Sequence, residues 1–158
     1  TMKKIIFLSK LMKEGKLEIV EPSEEIKQSY VKKSESNLVS AKILLENNKL
    51  EEAVALAYYS MYHMLTALLF KTGIKSESHA ASIILLKELF NIENSDISFA
   101  KKERVDKQYY VNFKVTKEEV IDSIKKAEAF NRKILDFIFK INKEYTDDYR
   151  KRFNESTN

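Results

Sequence analysis

The sequence predicts an all-α fold, an up-and-down bundle of four to five helices with a short N-terminal helix attached. Three observations lead there. Two glycines and one proline in 158 residues cannot supply the turns that a β-sandwich or barrel needs roughly every 8–12 positions. Apolar residues recur at steps of three and four through most of the chain, which is the period of a helix and not of a strand. The few punctuating residues also stand where helices would start or stop.

Taken in order, residues 3–14 form an amphipathic stretch that Gly15 stops. Leu17 to Val20 is too short to assign. Pro22-Ser23-Glu24-Glu25 is a helix start, because Ser can cap the orphan amides and acids suit the positive end of the helix dipole. Ile26, Tyr30, Leu38, Ala41 and Leu45 then follow at helical spacing until Asn47-Asn48. A second helix runs from about Leu50 to Thr72, with Gly73 supplying a left-handed exit. The connection is short, so the two helices should be antiparallel neighbours. A third covers about Ser78 to Phe90, and Asn91 to Asp96 is a polar connection. A fourth, about Ile97 to Tyr109, carries Lys101, Lys102, Arg104 and Lys107; Tyr110 to Val115 reads as β-like or irregular.

Thr116 with Glu119 three residues on is a capping box. It opens a long helix to about Asn142, with Val120, Ile124, Ala127, Asn131, Ile134, Ile138 and Ile141 forming a seam. That seam is longer than one small bundle needs, which predicts a homodimer. After Glu144 the chain turns polar and is expected to fray. The resulting division is a helical appendage over 1–22, a bundle over 23–142 and a polar tail over 143–158.

Composition removes several function classes. The absence of cysteine excludes disulfides, Cys-ligated zinc and thiol catalysis. Two glycines, Gly15 and Gly73, cannot make a Gly-rich phosphate loop. Neither His63 nor His79 has an acidic residue three or four positions on, so no metal site is expected, and no cofactor. Met2 to Leu8 is too short an apolar run for an export signal. Ala53 to Phe70 lacks fixed charges and approaches the length of a membrane span. Tyr58, Tyr59, Ser60, Tyr62, His63 and Thr66 interrupt it with groups that lipid cannot satisfy. It is therefore expected to be the central helix of a soluble, cytoplasmic bundle with no membrane partner.

The net charge of +4 is concentrated. Phe99 to Lys117 holds six basic side chains against Glu103 and Asp106, with Phe99, Tyr109, Tyr110 and Phe113 among them. Lys and Arg attract phosphate, and aromatic faces can stack on bases. The same composition also describes a solvated helix face with a few core aromatics. His79, at a helix start, is the better placed histidine for acid–base work; His63, one turn after Tyr59, reads as a buried, hydrogen-bonded residue. Tyr58 with Tyr62 reads as core lining.

Ala57-Tyr58-Tyr59-Ser60-Met61-Tyr62-His63, then Ala67-Leu68-Leu69, then Gly73-Ile74-Lys75-Ser76-Glu77-Ser78-His79, resemble the small stand-alone HEPN (higher eukaryotes and prokaryotes nucleotide-binding) proteins of archaea and bacteria. Arg104 followed by Tyr109, and the Val115 to Glu119 helix start, continue the resemblance, which spans about Ser23 to Asn142. It implies a helical bundle, often dimeric, paired with a minimal nucleotidyltransferase as a toxin–antitoxin couple. Ribonucleolytic members carry Arg, four to six residues, then His. Here Arg104 is followed by Val105-Asp106-Lys107-Gln108-Tyr109-Tyr110-Val111, with no histidine. Met64-Leu65-Thr66 and Gln108 are further departures from the family pattern.

The expected function is therefore binding of a nucleotide or RNA. Arg104 would contact phosphate, and Lys101 and Lys107 would add to its field. Tyr109 would stack or hydrogen-bond, His79 would lie near the same cleft, and Tyr59 and His63 would form its inner wall. Two alternatives are a helical dimerisation module without a nucleotide ligand, and a divergent ribonuclease using His79.

Overall fold

The structure, a computed structural model, describes residues 1–109 and 114–157, the side chains of Gln108 and Tyr109 excepted. Its helices are α1 (Met2–Lys13), α2 (Glu24–Glu46), α3 (Leu50–Lys71), α4 (His79–Glu88), α5 (Ser95–Tyr109), α6 (Lys117–Lys140) and α7 (Lys143–Thr157). Two three-residue strands, β1 (Leu17–Ile19) and β2 (Ile74–Ser76), complete it. The all-α class and the bundle are as the sequence predicts. The stretch read as β-like lies outside the described residues as far as Phe113.

Local chemistry sets the helix ends. Ser23 Oγ accepts from the Ile26 amide at 3.1 Å, and Asn48 takes a left-handed φ of 58° between α2 and α3. Gly73 has φ 75°, and a Cβ there would collide with the Arg150 guanidinium and the Val20 carbonyl. Thr116 and Glu119 form the capping box of α6.

The central helix is α3, packed against α2, α4, α5 and α6. It is long and apolar enough to cross a membrane by length and composition, and 78% of its most apolar stretch is buried inside this chain. Small polar residues let its neighbours approach closely. Ser34 Oγ donates to the Ser60 carbonyl at 2.6 Å, Ser60 Oγ donates to the Ser34 carbonyl at 3.0 Å, and Asn131 Nδ2 donates to Ser60 Oγ at 2.6 Å. Each such bond contributes about 1 kcal/mol net and fixes the register of α2, α3 and α6.

The seam of α6 is real, but its destination differs from the expectation. Val120, Ile124, Ala127, Asn131, Ile134, Ile138 and Ile141 are all buried, and α6 packs on α3 and α2 of the same chain. A periodic stripe shows that a face must be covered; here the bundle itself covers it.

The segment after Glu144, expected to fray, is the helix α7. Thr146, Tyr149, Phe153 and Thr157 recur at helical spacing and are buried, so a sparse stripe suffices to dock it. Tyr149 packs against Phe90 with ring centroids 4.9 Å apart. Arg150 Nη1 donates to the Val20 carbonyl at 2.5 Å, and α1 lies against α7, with Ser9 Oγ donating to the Thr157 carbonyl at 2.5 Å.

The unassigned segment after Gly15 forms β1, antiparallel to β2 in the register Leu17↔Ser76, Glu18↔Lys75 and Ile19↔Ile74. This ribbon delivers the chain to the start of α4. Local patterns could not reveal a pairing between such distant three-residue strands.

Candidate functional site

Helices α3, α4 and α5 meet at a cluster of aromatic and cationic side chains. On α3, Tyr58 with Tyr62 and Tyr59 with His63 are four residues apart, so the pairs form two adjacent ridges. His79 is the first residue of α4. Its place is set by the ribbon before it and by Ser78, whose Oγ accepts from the Ala81 amide at 3.1 Å. From the other side, α5 brings Lys101 and Arg104.

Tyr58 OH lies 2.7 Å from His79 Nδ1. The Tyr62 ring stacks on the imidazole, with centroids 3.7 Å apart and planes at 12°. Tyr62 OH in turn lies 3.4 Å from Ser82 Oγ. Arg104 Nη1 donates to Tyr59 OH at 3.1 Å, and its guanidinium carbon is 5.4 Å from the centroids of both Tyr58 and Tyr59. That is cation–π range. Deeper along α3, His63 stacks on Tyr59 at 6.2 Å, and its Nδ1 is 2.7 Å from Asn37 Oδ1 on α2.

Burial and charge set the protonation states. Burial pushes the Tyr58 and Tyr62 hydroxyls above the ordinary phenol range, so both are neutral phenols at pH 7. Burial, followed by the nearby charges of Lys101 and Arg104, holds His79 below the usual imidazole value. Burial, then Lys33 and His79, lowers His63 to about 4. At neutral pH the cluster therefore presents two uncharged imidazoles beside the cationic side chains of Lys101 and Arg104. Such a site can receive an anion, and its flat aromatic wall suits a base.

The structure thus brings together Tyr59, His63, His79, Lys101 and Arg104 of the predicted set. Lys107 points elsewhere: its Nζ donates to the Lys114 carbonyl at 2.9 Å and pairs with Glu119 at 3.4 Å, at the start of α6. The side chain of Tyr109 lies outside the described residues. Sequence reasoning missed Asn37 and Lys33, which had no local signal, and took Tyr58 and Tyr62 for core alone. They are core residues, and they also bond and stack on His79. Their four-residue spacing with Tyr62 preceding His63 was the available sign.

Two concavities lie elsewhere in the fold. One of about 360 Å³ opens between Glu21, Pro22, Lys71, Asp147 and Arg150; another of about 440 Å³ lies between Phe137, Lys140, Ile141, Tyr145 and Tyr149. Among the described residues no group of three or more His, Asp or Glu side chains is arranged to hold a metal ion.

Comparison with known proteins gives the site its setting. A protein of Methanocaldococcus jannaschii named "putative toxin" is 34% identical over 114 residues, covering 68% of this chain and 84% of its own length. A UPF0332 protein of Archaeoglobus fulgidus is 30% identical over 109 residues, 65% of this chain and 87% of that protein. Another UPF0332 protein, from Pyrococcus horikoshii, is 43% identical over 56 residues, 35% and 39% of the two chains. The HEPN domain pattern matches residues 27–140, from α2 to the end of α6, and so contains every residue of the cluster. This chain belongs to the HEPN domain family.

Proposed function

We propose that the cluster between α3, α4 and α5 binds the phosphate of a nucleotide or RNA. In this reading the chain is the HEPN member of a cytoplasmic toxin–antitoxin-like pair with a minimal nucleotidyltransferase. One observation carries the binding reading: Arg104 is laid against the Tyr58 and Tyr59 rings and bonded to Tyr59 OH, with Lys101 on the same helix close enough to act on His79. A guanidinium set beside two aromatic rings and bonded to a phenol is held in one orientation, and a planar guanidinium matches the geometry of phosphate oxygens. The toxin wording in the name of the Methanocaldococcus relative supports the pairing.

Counterion release provides the test. Affinity for a short single-stranded RNA should fall linearly with salt on logarithmic axes, with a slope of about −0.7 per phosphate neutralised. Salt-independent binding, or none, would leave the basic helix as a solvated face.

The dimer is part of the same reading, with its surface relocated. The seam is internal, while Val39 and Ile43 on α2 and Ile121 and Phe139 on α6 remain exposed, and the two helices are joined by the Lys42–Glu128 pair at 3.3 Å. Light scattering at micromolar concentration should give twice the 18.5 kDa chain mass. A monomer at high concentration would remove the dimer and leave the α3–α4–α5 cluster untouched.

A further inference from the structure

We infer that His79 is the proton-gated third cation of this cluster: when Arg104 and Lys101 hold a phosphate group, His79 takes up a proton from solvent and adds its charge to the same phosphate. This rests on the phosphate-binding reading above and names a residue and a chemical coupling for it.

The geometry gives His79 one nitrogen for a ligand. Nδ1 is occupied by Tyr58 OH at 2.7 Å, and Tyr62 covers one ring face at 3.7 Å. The imidazole is thus fixed in place, and Nε2 is left as the atom for a ligand. Tyr58 serves both protonation states. Its hydroxyl donates to a neutral Nδ1, and its oxygen accepts from Nδ1–H of the imidazolium once the hydroxyl hydrogen rotates away.

The charges around His79 explain the gate. From α5 come Lys101 and Arg104, both cationic. From α3 come Tyr58 and Tyr62, which are phenols, and His63, whose own charge would oppose that of His79. Among the described residues no carboxylate is paired with His79. Among the described residues the charges that act on His79 are the two cations of α5. A phosphate between Arg104, Lys101 and His79 supplies negative charge, and an opposite charge within about 4–6 Å favours the protonated form. Proton uptake and phosphate capture then strengthen each other reciprocally.

The experiment uses two probes whose phosphodiesters do not titrate near neutrality: a hexameric oligoadenylate without a terminal phosphate, and cyclic AMP. With two histidines in the chain, their carbon-bound imidazole protons can be followed by NMR with and without each probe, and His79→Gln assigns the pair. Affinities are measured at constant salt from about pH 5.5 to about pH 7.5, the range in which imidazole titrates. The expected result is an upward move of the His79 midpoint by about one pH unit on binding. Affinity should fall severalfold from the low to the high end of the range, toward a limit of about tenfold for a one-unit shift, since linkage equates the two. His79→Gln should bind with no such pH dependence.

Coupling seen with the hexamer alone assigns the phosphate to RNA; coupling seen with cyclic AMP alone assigns it to a mononucleotide. Both support the inference. Salt-dependent binding with an unmoved His79 midpoint overturns it and leaves the phosphate-binding reading standing. No binding of either probe at any pH overturns both. If His79→Gln fails to fold, His63→Gln assigns the pair instead, and the wild-type NMR measurement decides the matter.

Discussion

Helices α3 and α5 lie side by side and divide the work of the molecule. Along α3, fourteen residues from Ala53 to Leu69 are buried, and its tyrosines are held by bonds and stacking on several sides. Helix α5 contributes Ile97 to the core but keeps Lys101 and Arg104 only partly covered. It is tied to its neighbours through side-chain tips: Arg104 on Tyr59 at 3.1 Å, Lys107 on Glu119 at 3.4 Å, and Lys126 of α6 over the Phe99 ring at 4.9 Å. The difference separates placement from charge. The buried helix fixes where the aromatic wall stands, and the more exposed helix sets Lys101 and Arg104 beside it; in the proposed function that charge meets the ligand.

Breaking α3 should have the largest effect. Leu65 is fully buried, and Leu65→Ala should cost about 2–5 kcal/mol of stability, read as a lower denaturation midpoint in guanidinium. A loss well below that range would mean α3 is not the core. Acid should act next, through the wall residues. His63 titrates at about 4 in the fold against 6.5 unperturbed, so the unfolded chain binds the proton first. Stability is fully present above pH 6.5 and is lost as pH falls toward 4. Thermal melts should show Tm dropping across that window. His63→Gln should flatten the drop; an unchanged profile would mean His63 is solvated. At the bottom of the scale, no effect is expected: mixed cellular RNA incubated in a chelator should stay intact, because the histidine after Arg104 is missing. Cleavage abolished by His79→Ala but not by Tyr109→Phe would favour the divergent ribonuclease instead.

Part of this division is legible in the sequence. Ser23, Gly73 and the Thr116–Glu119 box mark helix ends because caps act within three or four residues, and the structure finds them there. The uncharged run of α3 and the basic run of α5 are likewise local properties. What covers a face is not local. The seam from Val120 to Ile141 reads the same whether α3 or a second chain packs on it. The β1–β2 pairing and the docking of α7 by Phe153 and Arg150 depend on residues distant in the chain. At the site, Arg104, Lys101, His79, Tyr59 and His63 are visible as residue types suited to phosphate and bases. The Tyr58–His79 bond, the Asn37–His63 contact and the diversion of Lys107 to Glu119 need the packed helices to appear.

If α5 carries binding without carrying the fold, as proposed, Arg104→Ala separates the two. Wild type, Arg104→Ala and Lys114→Ala are titrated with single-stranded RNA at two salt concentrations, and each is melted by circular dichroism. Arg104→Ala should lose about 1.5–3 kcal/mol of binding, the range for hydrogen bonds to a charged group, and should melt as a folded helical protein. Lys114→Ala should lose less than about 1 kcal/mol, as exposed charges do. Equal, salt-insensitive binding by wild type and Arg104→Ala would contradict the binding claim. Collapse of the helical signal in Arg104→Ala would contradict the division of labour, by showing that Arg104 holds the bundle together.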